Sequence, residues 1–254
     1  WTGVADLTDV LAITGDPAPG TSGFTFSNFF LNSFDNSGVS SFGANTSGNH
    51  GYWDGVPGLL EPVIQTGDPV PGTTGVTFTD VLPPVSNDAG SKAFLAYADD
   101  ANFNLSEGIW RIGPGGVDLV ARTGEVAPGT GGRSFRDFVV GDAMGVEGSD
   151  EPITHEVAGP LLSNADEVLF SAYVDSPDPL NWLGDHGIWI HDLIGLRLIA
   201  FSGDPAPGTA GLPFLYFNHL NYNAAGDLAF DASLDVADPD RDHGIWAGPP
   251  ESLT

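Results

Sequence analysis

Four aspartates pose the first chemical question. Asp235, Asp238, Asp240 and Asp242 lie close together, three of them alternating with Pro239 and Arg241. Alternating carboxylates in a loop can present oxygens to Ca²⁺, which takes about six to eight oxygen ligands. The spacing is not that of an EF-hand loop, because no bidentate Glu follows at the required offset. Arg241 also neutralises part of the charge. Two readings stand: a calcium site at Asp235, Asp238, Asp240 and Asp242, or an Asp-rich turn facing water. Asp175, Asp178 and Asp185, and again Asp99 and Asp100, recur at the matching place in earlier parts of the chain.

A second acidic set is Asp16, Asp68, Glu125 and Asp204, each in a copy of one Pro/Gly loop. Asp before Pro commonly forms a turn by bonding its own backbone. A ring of such acids is the cation-binding alternative. His50, His186 and His243 share one repeat position, which Glu107 fills in the second copy. His155, His191 and His219 lack metal-ligand spacing. Two carboxyl groups held about 5–9 Å apart hydrolyse glycosides. So many Asp residues make such a pair uninformative, and no nucleophile-elbow, phosphate-loop or dinucleotide motif is present. No catalytic residue is assigned. A polysaccharide hydrolase or lyase remains the enzyme alternative.

These side chains are positioned by a repeat. Gly15-Asp16-Pro17-Ala18-Pro19-Gly20-Thr21 recurs as Gly67–Thr73, Gly124–Thr130 and Gly203–Thr209. Two prolines and two glycines exclude a helix interior or a central strand. Before each loop runs a short apolar segment, strand D: Val10–Ile13, Pro62–Ile64, Leu119–Ala121 and Leu198–Ala200. After it come spaced aromatics, Phe26, Phe78, Phe135 and Phe214, which read as strand A. Turns such as Asn87-Asp88-Ala89-Gly90 and Asn223-Ala224-Ala225-Gly226 follow, with the looser Asp35–Gly38 and Ser163–Asp166. Their residue types fit a type I turn ending at positive φ, joining A to strand B. His50-Gly51-Tyr52-Trp53, Glu107–Trp110, His186–Trp189 and His243–Trp246 are strand C.

Four-stranded units repeated in tandem predict an all-β fold, a β-propeller of four blades with four antiparallel strands each. The chain reads as a single repeat domain, 1–254. Its units are 15–66, 67–123, 124–202, and 203–254 plus 1–14. The chain opens with strand D and closes with A, B and C, so the N-terminal strand is expected to complete the fourth blade. It can do so in cis or from a neighbouring chain, which would give a ring or filament. Insertions at Val140–Pro160 and Val174–Asp185 enlarge the third unit. Long loops on a rigid scaffold often carry function.

Net charge is −27 with only 7 Lys+Arg, which argues against nucleic acid as a partner. Hydrophobic residues at 41% supply a core, so the acidity does not imply disorder. There is no cysteine, hence neither disulfide nor thiolate metal site. No apolar run reaches about 18 residues, so no helical membrane span is expected. Trp1 in place of Met is expected of a processed or excised product.

The Gly-Asp-Pro-Ala-Pro-Gly-Thr loops, the Asn-x-x-Gly turns leading to Ala-Phe at Ala93-Phe94 and Ala229-Phe230, and the Gly-Ile-Trp strands together resemble secreted bacterial choice-of-anchor tandem-repeat proteins. The likeness covers nearly the whole chain and is loosest in the third copy. It implies export and an extracellular or cell-surface location. The expected function is a non-enzymatic structural or interaction module, self-assembling through edge strands, with a protein or polysaccharide partner at the cell surface. The alternative is a calcium-dependent glycan- or protein-binding propeller.

Overall fold

The computed structural model describes residues 10–34, 38–99, 105–138, 159–178, 180–181, 184–236 and 242–253. It is all-β apart from one 3₁₀ turn, with four antiparallel sheets. The chain divides into two compact units, Trp1–Pro83 with Tyr97–Leu105, and Pro84–Ala96 with Ser106–Thr254.

The first sheet lies in the first unit. It is a meander of β1 (Phe26–Phe34), β2 (Ser40–Thr46), β3 (His50–Val56) and β4 (Leu59–Gln65), in that order. These are the expected strands A, B, C and D. The second sheet contains β5 (Thr77–Val81), β6 (Val85–Ser86), β7 (Lys92–Asp99), β8 (Leu105–Gly113) and β9 (Gly116–Arg122). Here strand A is broken into β5 and β6. Pro83 and Pro84 sit at the break, and a proline has no N–H for a ladder.

The second unit holds the other two sheets. The third has β10 (Phe135–Asp137), β11 (Leu161–Leu162), β12 (Val168–Val174), β13 (Asp185–Asp192) and β14 (Gly195–Phe201). Its strand A is split by the long insertion, and both pieces pair with β12. The fourth has only β15 (Phe214–Tyr222), β16 (Leu228–Leu234) and β17 (His243–Gly248).

One departure from the sequence expectation concerns Val10–Ile13. It is not a strand, and among the described residues no strand flanks β17 on its far side. The physical reason is the ladder: a D strand exists only when a C strand supplies its hydrogen bonds. Val10–Ile13 instead lies by the first sheet, where Leu11 and Ala12 pack on its core and Val10 and Ile13 face solvent.

Each sheet carries its core on aromatics of strands A, B and C. Phe42 stacks on Trp53 at 6.2 Å, Phe94 on Trp110 at 6.0 Å, Phe170 on Trp189 at 6.3 Å and Phe230 on Trp246 at 5.7 Å. Phe26, Phe135 and Phe214 meet the same tryptophans edge-on at 4.9–5.1 Å. Offset and edge-on contacts suit the ring quadrupoles and add to the area buried. These rings are structural.

Candidate functional site

In a chain built from repeated motifs, functional groups stand out either where the pattern breaks or where one position recurs in every copy. The Pro/Gly loop comes first. Its backbone folds against the start of strand A through the bridges Pro17↔Thr25, Pro69↔Thr77, Val126↔Ser134 and Pro205↔Pro213. Its threonine closes the turn: Thr21, Thr73, Thr130 and Thr209 donate to the carbonyls of Ala18, Val70, Ala127 and Ala206 at 2.6–2.7 Å. The tryptophan of strand C then latches it. The indoles of Trp53, Trp189 and Trp246 donate to Pro19, Pro128 and Pro207 carbonyls, each at 3.0 Å. Glycine is required for close approach: a Cβ on Gly129 would sit 2.7 Å from Leu198 Cβ, and that residue has φ +83°.

The loop acids serve the same joint. Asp16 and Asp68 accept the N–H groups of Ile13 and Gln65, three residues back, at 3.1 and 2.9 Å. Glu125 pairs with Arg122 at 3.3 Å. Burial holds the carboxyls of Asp68 and Asp204 above the ordinary Asp value.

The histidine position is where consecutive repeats are coupled. His186 Nδ1 accepts the Phe217 N–H at 3.2 Å. Glu107 Oε2 accepts the Phe138 N–H at 3.1 Å. His50 Nε2 lies 3.4 Å from the Val81 carbonyl and 3.0 Å from Asp80 Oδ1. Each joins strand C of one repeat to strand A of the next, at the same sequence separation. That constant separation was visible in the sequence, although it points to no partner without the strand assignment. His186 is buried, stacks on Tyr173 at 4.5 Å, and is pushed down to about 3 by desolvation, so it is neutral. Its Nε2 has no hydrogen-bond partner among the described residues.

The turns between strands A and B form a polar row within the second unit. In each, a side-chain oxygen of Asn87, Ser163 or Asn223 caps the turn, and Gly90, Asp166 and Gly226 close it at positive φ. Neighbouring turns are then bonded together. Asn87 Nδ2 donates to the Ser163 carbonyl at 3.0 Å and to Asp166 Oδ1 at 2.7 Å. Asn164 Nδ2 donates to Asp88 Oδ2 at 2.8 Å, and the Asn164 N–H to the Ala224 carbonyl at 3.0 Å. Glu167 accepts the Tyr222 hydroxyl at 2.6 Å. The sequence showed the turns but not this lateral bonding, which depends on which turns are neighbours.

Of the calcium candidates, Asp238 and Asp240 lie outside the described residues, as does Asp100. The Asp235 N–H donates to the Pro213 carbonyl at 2.9 Å, and Asp242 Oδ1 lies 2.7 Å from His243 Nδ1. Asp185 is ion-paired with Arg133 and accepts Asn181 Nδ2 at 2.8 Å. Asp178 accepts the Leu180 N–H at 2.9 Å. No group of three His, Asp or Glu residues placed to hold a metal ion occurs among the described residues. His155 is outside them, and His219 pairs with Asp231 at 2.7 Å. In the first unit an open polar depression is lined by Asn45, Asn49, His50, Thr66 and Thr77. No described helix is long and apolar enough to cross a membrane.

Two successive stretches, residues 1–148 and 139–252, match DUF7453, described as a family of unknown function, and the chain belongs to that family. No curated protein and no solved structure matches it.

Proposed function

We propose that this DUF7453 chain is a non-enzymatic structural or interaction module that works outside the cell or on its surface. In this reading the four sheets are the blades of a β-propeller, and the partner is a protein or polysaccharide. The observation that carries it is the fate of the repeated chemical residues. The loop acids Asp16 and Asp68 cap a turn. Glu107 and His186 hold the next strand A. Trp53, Trp189 and Trp246 latch a proline carbonyl. Side chains spent alike in successive repeats support a scaffold, since an active site normally needs groups left available to substrate. Four consecutive meanders joined by one kind of loop support radial blades. The family likeness of the loop, turn and Gly-Ile-Trp motifs supports export.

Small-angle scattering of the dilute monomer tests the architecture. A closed four-blade disc of this length has a radius of gyration of about 18 Å. A markedly larger value, as for sheets strung in an open row, contradicts it. Recovery of the native protein only from cytosol would contradict the location.

A further inference from the structure

The first sheet departs from the others in the link between its B and C strands. Ser47-Gly48-Asn49 alone join β2 to β3, whereas residues 175–184 and 235–242 join the matching strands of the third and fourth sheets and carry several acids. The open depression of the first unit, about 670 Å³, is lined by that short link. Its size falls within the range of ligand sites, about 300–1,000 Å³. We propose that this depression binds a neutral sugar chain, held by Asn45, Ser47, Asn49, Thr77 and Thr79. The inference rests on the interaction-module reading and names its partner.

The position opposite the histidine of strand C is used differently where that histidine occurs. Tyr173 stands opposite His186 and stacks on it at 4.5 Å. Ser233 stands opposite His243, with Oγ 3.1 Å from its Nε2. Asn45 stands opposite His50, and its side chain makes no hydrogen bond to a described residue. The same division runs through the rest of the lining. Thr46 Oγ1 donates to the Asn49 carbonyl at 2.8 Å, Thr66 Oγ1 donates to that of His50 at 3.2 Å, and His50 pairs with Asp80 at 3.0 Å. Those groups are spent on the fold. The side chains of Ser47, Asn49, Thr77 and Thr79 are exposed and, like that of Asn45, bond to no described residue. Thr77 and Thr79 are two apart on β5 and so share one face. The Gly67 N–H donates to the Phe78 carbonyl at 2.7 Å, which holds β5 beside the end of β4. A Cβ on Gly67 would lie 3.5 Å from Asn49 Nδ2, so the amide of the link reaches this loop.

The chemistry of the lining selects the ligand. No Asp, Glu, Lys or Arg is among the described lining residues, in a chain with 34 acids. Without carboxylates the lining offers no oxygen cage suited to Ca²⁺. A net charge of −27, with no Lys or Arg in the lining, disfavours phosphate, sulfate and uronate groups. Phe78 is the one large apolar residue among the described lining residues and is buried, so an apolar peptide side chain finds no pocket. What is left is two amides and three hydroxyls, each able to donate and to accept. A sugar chain presents rows of neighbouring hydroxyls with the same double capacity, and an open polar surface suits such a chain better than a closed apolar pocket does.

The full chain is run in native gels that contain neutral polysaccharides (glucans, mannans, galactans and xylans) and, separately, anionic ones (alginate and polygalacturonate). The proposal expects retardation by at least one neutral polymer, unchanged by EDTA, with a dissociation constant for its oligosaccharide measured by calorimetry. The double variant Thr77→Val, Thr79→Val removes two hydroxyls while keeping the side-chain shape, and should weaken that constant about tenfold. Asn49→Asp replaces the amide donor with a charge and should weaken it about as much. Both changes are on exposed residues, and circular dichroism checks that each variant keeps the native fold. The proposal is overturned if no neutral polymer retards the chain, if only the anionic ones do, or if binding needs calcium. It is equally overturned if the folded variants bind as tightly as the wild type. Those results leave the scaffold reading standing, which fails separately on the scattering measurement.

Discussion

Strands β13 and β17 carry the same four residues, His-Gly-Ile-Trp, and live in different environments. In β13, His186, Ile188 and Trp189 are 0–2% exposed. In β17, His243 and Ile245 face water and Trp246 is only half-buried. Both tryptophans make the same indole bond to a proline carbonyl, so the local fold does not differ. The neighbours do: β13 has β14 on its open side and Phe217 above its histidine, whereas β17 has neither among the described residues. The motif therefore specifies its own sheet, and its burial is conferred by the next strand and the next repeat.

That comparison can be broken by mutation. Trp189→Ala should cost about 3–5 kcal/mol, the range for removing a large buried aromatic. Trp246→Ala should cost less, roughly 1–2 kcal/mol, because its side chain is already partly exposed to water. Urea unfolding of the two variants gives both values, and equal losses would erase the distinction.

The buried histidine makes stability depend on pH. The folded state holds His186 neutral, with its pKa lowered from 6.5 to about 3. The stability it protects is complete above pH 6.5. It is lost as pH falls toward 3, because the unfolded chain takes up a proton that the folded chain refuses. The slope is at most about 1.4 kcal/mol per pH unit. His186→Phe should flatten stability between pH 6.5 and 5, as read by urea unfolding across that range. His186→Phe should itself cost about 1–3 kcal/mol at pH 7, because the Phe217 N–H loses its acceptor in a buried place.

How far these contrasts could be read in advance depends on range. The strand order within a sheet was legible, because it follows from local signals: apolar runs, Asn-x-x-Gly turns and a tryptophan at fixed register. Gly90 and Gly226 at positive φ are where those turns require them. Val10–Ile13 was misread because its composition matches a D strand, whereas its state depends on a ladder partner that composition cannot supply. The coupling role of Glu107 was hidden by its difference from histidine. A carboxylate and a neutral imidazole nitrogen are both acceptors, and only the Phe138 and Phe217 N–H groups show that they are doing one job. The Asn87–Ser163 and Asp88–Asn164 bonds were unreadable, since they join turns far apart in sequence.

Smaller effects sharpen the same contrast. Asn87→Ala removes both its turn cap and its bonds to the neighbouring turn, and should cost about 1–3 kcal/mol. Asn223→Ala removes only bonds within its own turn, the cap and the bond to Asp227, and should cost about 1 kcal/mol. Ile245→Ala should change monomer stability by no more than about 0.5 kcal/mol, as for other exposed side chains. The Ile188→Ala variant, measured beside it by thermal unfolding, should lose about 2–5 kcal/mol.

Amide hydrogen exchange, followed residue by residue, tests the central claim most directly. In the dilute monomer, the amides of β13 should exchange only with global unfolding, while the outward-facing amides of β17 exchange through local fraying. Protection of β17 equal to that of β13 in the dilute monomer would contradict the account.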